Sequence, residues 1–136
     1  MIRYTNSLAG ITSGMLTGFT RDWYTPLSPR KLLAILKGSS HVVLAIDDKK
    51  RRVVGIVTAL SDGIYWAFVP FLEVLPSYRK LGIGSALMRR ILKRVKNMDC
   101  IDLTCDEEMQ PFYEKFGMIR STNMIIRRYL QKKRKN

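Results

Sequence analysis

The chain has 136 residues, 46% of them apolar and 26% charged, which is the size and composition of one folded domain and excludes wholesale disorder. Its longest apolar stretch, Ile64 to Leu72, spans nine residues and contains Pro70, whereas a membrane-spanning helix needs ~20. Lys and Arg number 24 against 11 Asp and Glu, a net charge of +13, and residues 76–136 hold 15 of the basic and 6 of the acidic side chains, so an anionic partner is expected of the second part of the chain.

The N-terminal segment Leu8 to Phe19 is mildly apolar but broken by Gly10, Gly14 and Gly18 with no small-residue cleavage site after it, so a secretory signal is not expected. Cys100 and Cys105 would stand about 17 Å apart on an extended chain, too far to bond to each other. With no Cys-x-x-Cys pair and a single histidine, His41, the expectation is a cytoplasmic protein with free thiols and no metal.

In chain order, a short strand is expected near Ile2 to Tyr4, then a helical stretch around Thr12 to Trp23. A better-marked helix follows, with Ser28 as cap, Pro29 at its first position, Leu32, Leu33 and Leu36 on an apolar face, and Gly38 at the exit. His41 to Asp47, Val53 to Ser61 and Ile64 to Leu75 are β-branched or aliphatic runs joined by polar turns, an antiparallel meander. From Ile83 to Lys96 the residues Ile83, Ala86, Leu87, Ile91 and Val95 recur at helical spacing among Arg89, Arg90, Lys93, Arg94 and Lys96, giving a basic amphipathic helix. Cys100 to Thr104 is expected as a strand, Gln110 to Phe116 as a short helix stopped by Gly117, and Met124 to Tyr129 as a last strand. The domain is thus expected over 1–129, with 130–136 a basic tail. His41 is expected to be structural; Trp23, Tyr24, Tyr65, Trp66 and Phe68 could wall an acceptor pocket, but aromatics in strands and beside helices are more often core, and that is the expectation for them.

Pro76 to Ser85, between the meander and the basic helix, has the chemistry of an anion cradle. Gly82 and Gly84 carry no Cβ where backbone must approach a ligand, and the first N–H groups of a helix lack internal acceptors and lie at the positive end of its dipole. Arg79, Lys80 and Ser85 add charge and donors. A nucleotide-hydrolase loop would need Gly-Lys-Ser/Thr, and a dinucleotide fingerprint three glycines; neither occurs.

Leu72-Glu73-Val74-Leu75-Pro76 followed by Arg79-x-x-Gly82-x-Gly84 resembles the coenzyme A-binding signature of the GNAT superfamily of N-acetyltransferases, and Phe112-Tyr113-Glu114-Lys115-Phe116-Gly117-Met118 resembles its second signature. The resemblance covers roughly residues 41–129. It implies an α/β (α+β) fold: a mixed, mostly antiparallel central sheet flanked by helices, with a splayed strand pair holding acetyl-CoA. It further implies transfer of an acetyl group to a primary amine by direct attack. Leu72 and Val74 would pair with the pantetheine arm, and Lys80, Leu81, Gly82, Ile83, Gly84 and Ser85 would hold the pyrophosphate beside Arg79. Tyr113 matches the tyrosine that protonates the departing thiolate. Pro70 within a strand is consistent with a bulge and an interrupted ladder.

Two carboxylates amid apolar strand residues, Glu73 and Asp102, are candidates to relay the amine's proton. The strand position where histone acetyltransferases carry a glutamate base corresponds here to Phe68, and the Asn often found before the last helix is replaced within Asp106-Glu107-Glu108. These acids, with Glu114, would attract a cationic amine or else cap the helix before Tyr113. Two alternatives stand beside acetyl transfer: a basic nucleic-acid-binding module using the tail, which lacks any visible reading motif, and an acetyl-CoA-binding domain without catalysis. A homodimer is an expectation at family level alone.

Overall fold

The computed structural model describes residues 1–130; the basic tail expected over 130–136 lies outside them from residue 131 onward. Five strands form one sheet in chain order: β1 (Ile2–Thr5), β2 (His41–Asp47), β3 (Arg52–Ser61), β4 (Trp66–Val74) and β5 (Cys100–Asp102). The first four pair antiparallel and β5 joins β4 in parallel, because the helix α2 (Ile83–Arg94) carries the chain back across the sheet between them. The fold is the mixed, mostly antiparallel sheet with flanking helices expected from the sequence.

The helix α1 (Pro29–Gly38) starts where the sequence places it, with Ser28 Oγ accepting from the Lys31 N–H at 3.1 Å, Pro29 in the first turn, and Leu32 and Leu36 buried. The helix α2 packs across β2, β3 and β4. Covering on both faces explains why β2 and β3 are buried almost continuously rather than at alternate residues. Close seating of α2 depends on Gly55: a Cβ there would lie 2.9 Å from Leu87 Cδ1 and 3.1 Å from Ile83 Cγ2. The buried stripe of α2 is Ile83, Leu87, Met88 and Ile91.

Two expected elements differ. The Thr12 to Trp23 helix is a single 3₁₀ turn, Ser13–Leu16, followed by turns; Gly18 (φ 93°) and Thr20 (φ 58°) adopt left-handed backbone that no helix propagates through. The last strand, Met124 to Tyr129, is absent: residues 121–127 form neither helix nor strand, and 128–130 make a helical turn. β5 is three residues long and offers a short ladder, and Met124, Ile125 and Ile126 are left exposed. The expected burial of the aromatic residues also fails, since Trp23, Tyr24, Tyr65, Trp66 and Phe68 are all substantially exposed. The short helix α3 (Gln110–Glu114) ends two residues before the expected Phe116, and residues 115–117 make a turn with Gly117 at φ 86°.

Candidate active site

The loop from β4 to α2 forms a cradle. After a 3₁₀ turn at Pro76–Tyr78, Lys80 takes φ 65° and Gly82, the N-cap of α2, takes φ 81°; the second position needs glycine for this reason. No side chain caps α2, and its first backbone bond is that from the Ala86 N–H to the Gly82 carbonyl. The N–H groups of Ile83, Gly84 and Ser85 therefore point from the positive end of the helix toward any anion placed there. A Cβ on Gly84 would lie 3.8 Å from Phe112 Cζ and 3.9 Å from Val74 Cγ2, ordinary van der Waals contact, so a methyl fits there. Arg79 turns back, its Nε donating to the Val74 carbonyl at 2.9 Å, and Tyr78 donates its hydroxyl to Asp47 Oδ2 at 2.6 Å. Both contacts brace the loop on the sheet.

Beside the cradle the sheet opens. β4 and β5 pair at Trp66–Cys100, Ala67–Ile101 and Phe68–Asp102 and no further, while β4 runs on to Val74 with its other edge bonded to β3. A register shift sets Val69 and Pro70 against Ala59, the interruption foreseen at Pro70. Leu72 and Val74 thus present one edge of backbone to a wedge that leads from Phe68 and Asp102 at its apex to the cradle at its mouth.

Phe68, Asp102, Cys105, Tyr113, Glu114 and Asn123 line a shared cleft of ≈ 740 Å³. Burial, and secondarily the neighbouring Cys105, pushes the Tyr113 phenol up to about 12, above the ordinary value near 10. Tyr113 therefore stays protonated throughout the working range of pH and is available only as a donor. Asp102 Oδ2 accepts from the Trp66 indole Nε1–H at 2.9 Å, which fixes the carboxylate at the apex. Asp106 precedes the turn before α3, yet its side chain makes no capping bond.

Glu73, the other candidate base, is engaged elsewhere. Both of its oxygens accept from the Thr20 N–H, at 2.9 and 3.2 Å, and Thr20 Oγ1 in turn accepts from the Leu27 N–H at 2.8 Å. Half-burial raises the Glu73 pKa, and the Thr20 hydrogen bond and the Arg79 charge only partly offset it. Arg52 Nη2 donates to the Thr17 carbonyl at 2.8 Å, so two charged side chains hold the 17–27 loop against the sheet. The structure brings Tyr113 and Asp102 of the sequence candidates into one cleft and sets Glu73 against Thr20; the contacts of Thr20, Asp47, Tyr78 and Asn123 join residues distant in the chain and leave no local signal.

The order of these parts, a wedge between β4 and β5, an uncapped helix start at its mouth and a protonated tyrosine beside it, coincides with the region matched by one family profile. The profile of the Acetyltransferase (GNAT) family matches residues 9–118. The chain belongs to this family. A candidate acetyltransferase of Deinococcus radiodurans R1 whose structure is solved is 42% identical, with a TM-score of 0.90 over 94% of this chain and 89% of that one. An N-acetyltransferase of Porphyra purpurea, uncharacterized and called ycf52, is 28% identical over 100 residues, which are 71% of this chain and 58% of the relative. The chloroplastic GCN5-related N-acetyltransferase 3 of Arabidopsis thaliana is 31% identical over 86 residues, 59% of this chain and 36% of the relative. This GNAT chain accordingly spans between about a third and three fifths of the curated relatives' lengths. Among its described residues no helix is long and apolar enough to cross a membrane, and no group of three or more His, Cys, Asp or Glu is placed to hold a metal ion.

Proposed function

We propose that the protein is an acetyl-CoA-dependent N-acetyltransferase acting on a primary amine, with residues 1–129 as a single catalytic domain. The observation that carries this reading is the juxtaposition of the uncapped start of α2 with the edge of β4 that β5 leaves without a strand partner beyond Phe68. The backbone N–H groups of Ile83, Gly84 and Ser85, with Lys80, suit a pyrophosphate, and the backbone of Leu72 and Val74 suits an extended amide-bearing arm that adds as a further strand. Bound acetyl-CoA would supply an electrophilic thioester and a thiolate leaving group.

The residues at the apex then divide the proton transfers. A lysine-like amine is mostly protonated at neutral pH, and Asp102 takes a proton from it so that nitrogen can attack the carbonyl carbon. As the N–C bond forms and the C–S bond breaks, Tyr113 gives its hydroxyl proton to sulfur. Two protons leave the original ammonium nitrogen: one restores Tyr113, the other passes from Asp102 to solvent. Glu73, proposed from the sequence for the same relay, instead orders the 17–27 loop. The two free cysteines fit a reducing compartment such as the cytoplasm.

Calorimetric titration with acetyl-CoA at ~0.15 M salt, beside Gly84→Glu, tests the reading. One-to-one binding lost in the variant is expected, because the new carboxylate occupies the cradle and repels phosphate. Absence of binding by the wild type would sink the acetyltransferase reading and favour an RNA-binding role for the basic surface.

A further inference from the structure

The outward face of α2 carries charge that neither the cradle nor the cleft uses. Residues 76–98 contain seven Lys and Arg and no Asp or Glu. Five of the seven are Arg89, Arg90, Lys93, Arg94 and Lys96, and from residue 83 to 96 every exposed position is one of them. The nearest to the cradle, Arg89, lies four residues past Ser85, about 6 Å along the helix axis. Helical spacing sets the five in two rows, Arg89, Lys93 and Lys96 beside Arg90 and Arg94, so like charges are neighbours at i, i+4 twice. Such pairs destabilise a helix, yet among the described residues no carboxylate forms an ion pair with any of the five. Rings hold two of the guanidinium groups instead: Arg90 Cζ lies 4.5 Å from the centroid of Tyr4, and Arg89 Cζ 5.9 Å from that of Phe116. A guanidinium seated on a ring keeps its N–H groups for a ligand and loses less freedom on binding.

We propose that this face of α2 docks the phosphate backbone of a nucleic-acid duplex. The 12 residues of α2 span about 18 Å, and a duplex presents one phosphate per ~1.7 Å of its axis, so the cations meet phosphates without a fixed register. Arginine suits the contact because its planar fork takes phosphate oxygens bidentately. No aromatic residue lies on α2 for unpaired bases to stack on, which favours the duplex over a single strand. An acidic protein would need an apolar anchor at the centre of the contact, and the exposed positions of this face supply only charge. Affinity then comes from release of counterions and falls steeply with salt. The inference does not rest on the acetyl-transfer reading, since none of the five residues belongs to the cradle or the cleft.

The test is fluorescence anisotropy of labelled RNA and DNA duplexes of about 20 base pairs, titrated with the full chain from ~0.05 to ~0.2 M salt. Both are expected to bind, with log K falling against log salt at a slope of about −4. A variant carrying Arg90→Gln, Lys93→Gln, Arg94→Gln and Lys96→Gln should bind about tenfold more weakly or worse and lose about 3 or more of that slope, while its acetyl-CoA affinity is unchanged. The control removes the same charge elsewhere: Lys132→Gln, Lys133→Gln, Arg134→Gln and Lys135→Gln should together weaken binding by less than about threefold. Should the α2 variant fail to fold, Lys93→Glu with Lys96→Glu changes the charge equally, keeps both arginine–ring contacts, and is expected to show the same loss. Equal losses in the α2 and tail variants would reduce the effect to bulk charge and overturn the proposal. Displacement of the duplex by saturating acetyl-CoA would put the duplex on the cradle and also overturn it. Tighter binding of a poly-glutamate peptide than of either duplex at equal salt would assign the face to an acidic protein, against the proposal. Binding of neither duplex at ~0.05 M salt overturns it outright, whereas acetyl-CoA binding, titrated in parallel, stands or fails separately.

Discussion

The hydroxyl of Tyr78 donates to Oδ2 of Asp47 across 2.6 Å, tying the loop before the cradle to the end of β2, 31 residues earlier in the chain. Asp47 also receives the backbone N–H groups of Lys49 and Lys50 through Oδ1. One carboxylate thus organises the β2–β3 turn and the approach to the cradle. The Tyr78 bond is the largest cause holding the Asp47 pKa below the ordinary carboxylate value, and desolvation opposes it.

Tyr78→Phe is therefore expected to lower Tm, with a defined dependence on pH. A carboxylate whose folded pKa is depressed contributes stability above its unfolded pKa, near ~3.9 for Asp, and loses it as pH falls through the lower folded value. The Tm difference between wild type and variant should be steady from neutral pH down to about pH 5 and should shrink below about pH 4. A difference that grows on acidification would exclude this account.

Glu73 carries the opposite sign. Its folded pKa is raised, with burial as the first cause, so its contribution to stability is fully present below the unfolded pKa and lost as pH rises through the folded one. Glu73→Gln keeps an oxygen for the Thr20 N–H but has no charge to desolvate. It should melt higher than wild type at pH 7 and lose that advantage below about pH 4. Glu73→Ala strands the N–H of fully buried Thr20 and should cost about 1–3 kcal/mol in denaturant unfolding. Because Glu73 orders a loop in this reading, Gln should retain kcat while Ala raises KM for the amine; a kcat collapse in Gln would restore Glu73 as the base.

Gly55→Ala should destabilise by about 1–3 kcal/mol, since the added methyl meets well-packed Leu87 and Ile83 and α2 must shift. Acetyl-CoA affinity is expected to fall as well, because the start of the same helix forms the cradle. Unchanged stability in a urea titration would mean that the two side chains repack without moving the helix.

Tyr113→Phe should lower kcat by about a hundredfold while leaving acetyl-CoA affinity nearly intact. With the phenol pushed up to about 12, the wild-type kcat should show no alkaline decline from loss of this proton up to about pH 10. A decline with a midpoint near 9 that disappears in the Phe variant would contradict that environment for Tyr113.

Local physics determined a large part of this protein. Ser28-Pro29 starts α1, β-branched runs make β2 and β3, and the glycines at 82 and 84 shape a helix start that no side chain caps; each depends on neighbours a few residues away, so the sequence displays it directly. Tertiary structure decided what depends on distant partners. A carboxylate at 73 has the same covalent chemistry whether it is a base or a clasp, and only the fold brings the Thr20 N–H, 53 residues away, within hydrogen-bond distance of it. Phe68 and Trp66 have the composition of core residues, and only the fold shows them exposed on the sheet face they share. The strand expected at 124–129 had the right β-branched and apolar residues but no ladder long enough to receive it, because a strand's backbone is satisfied by a neighbouring strand and not by its own sequence.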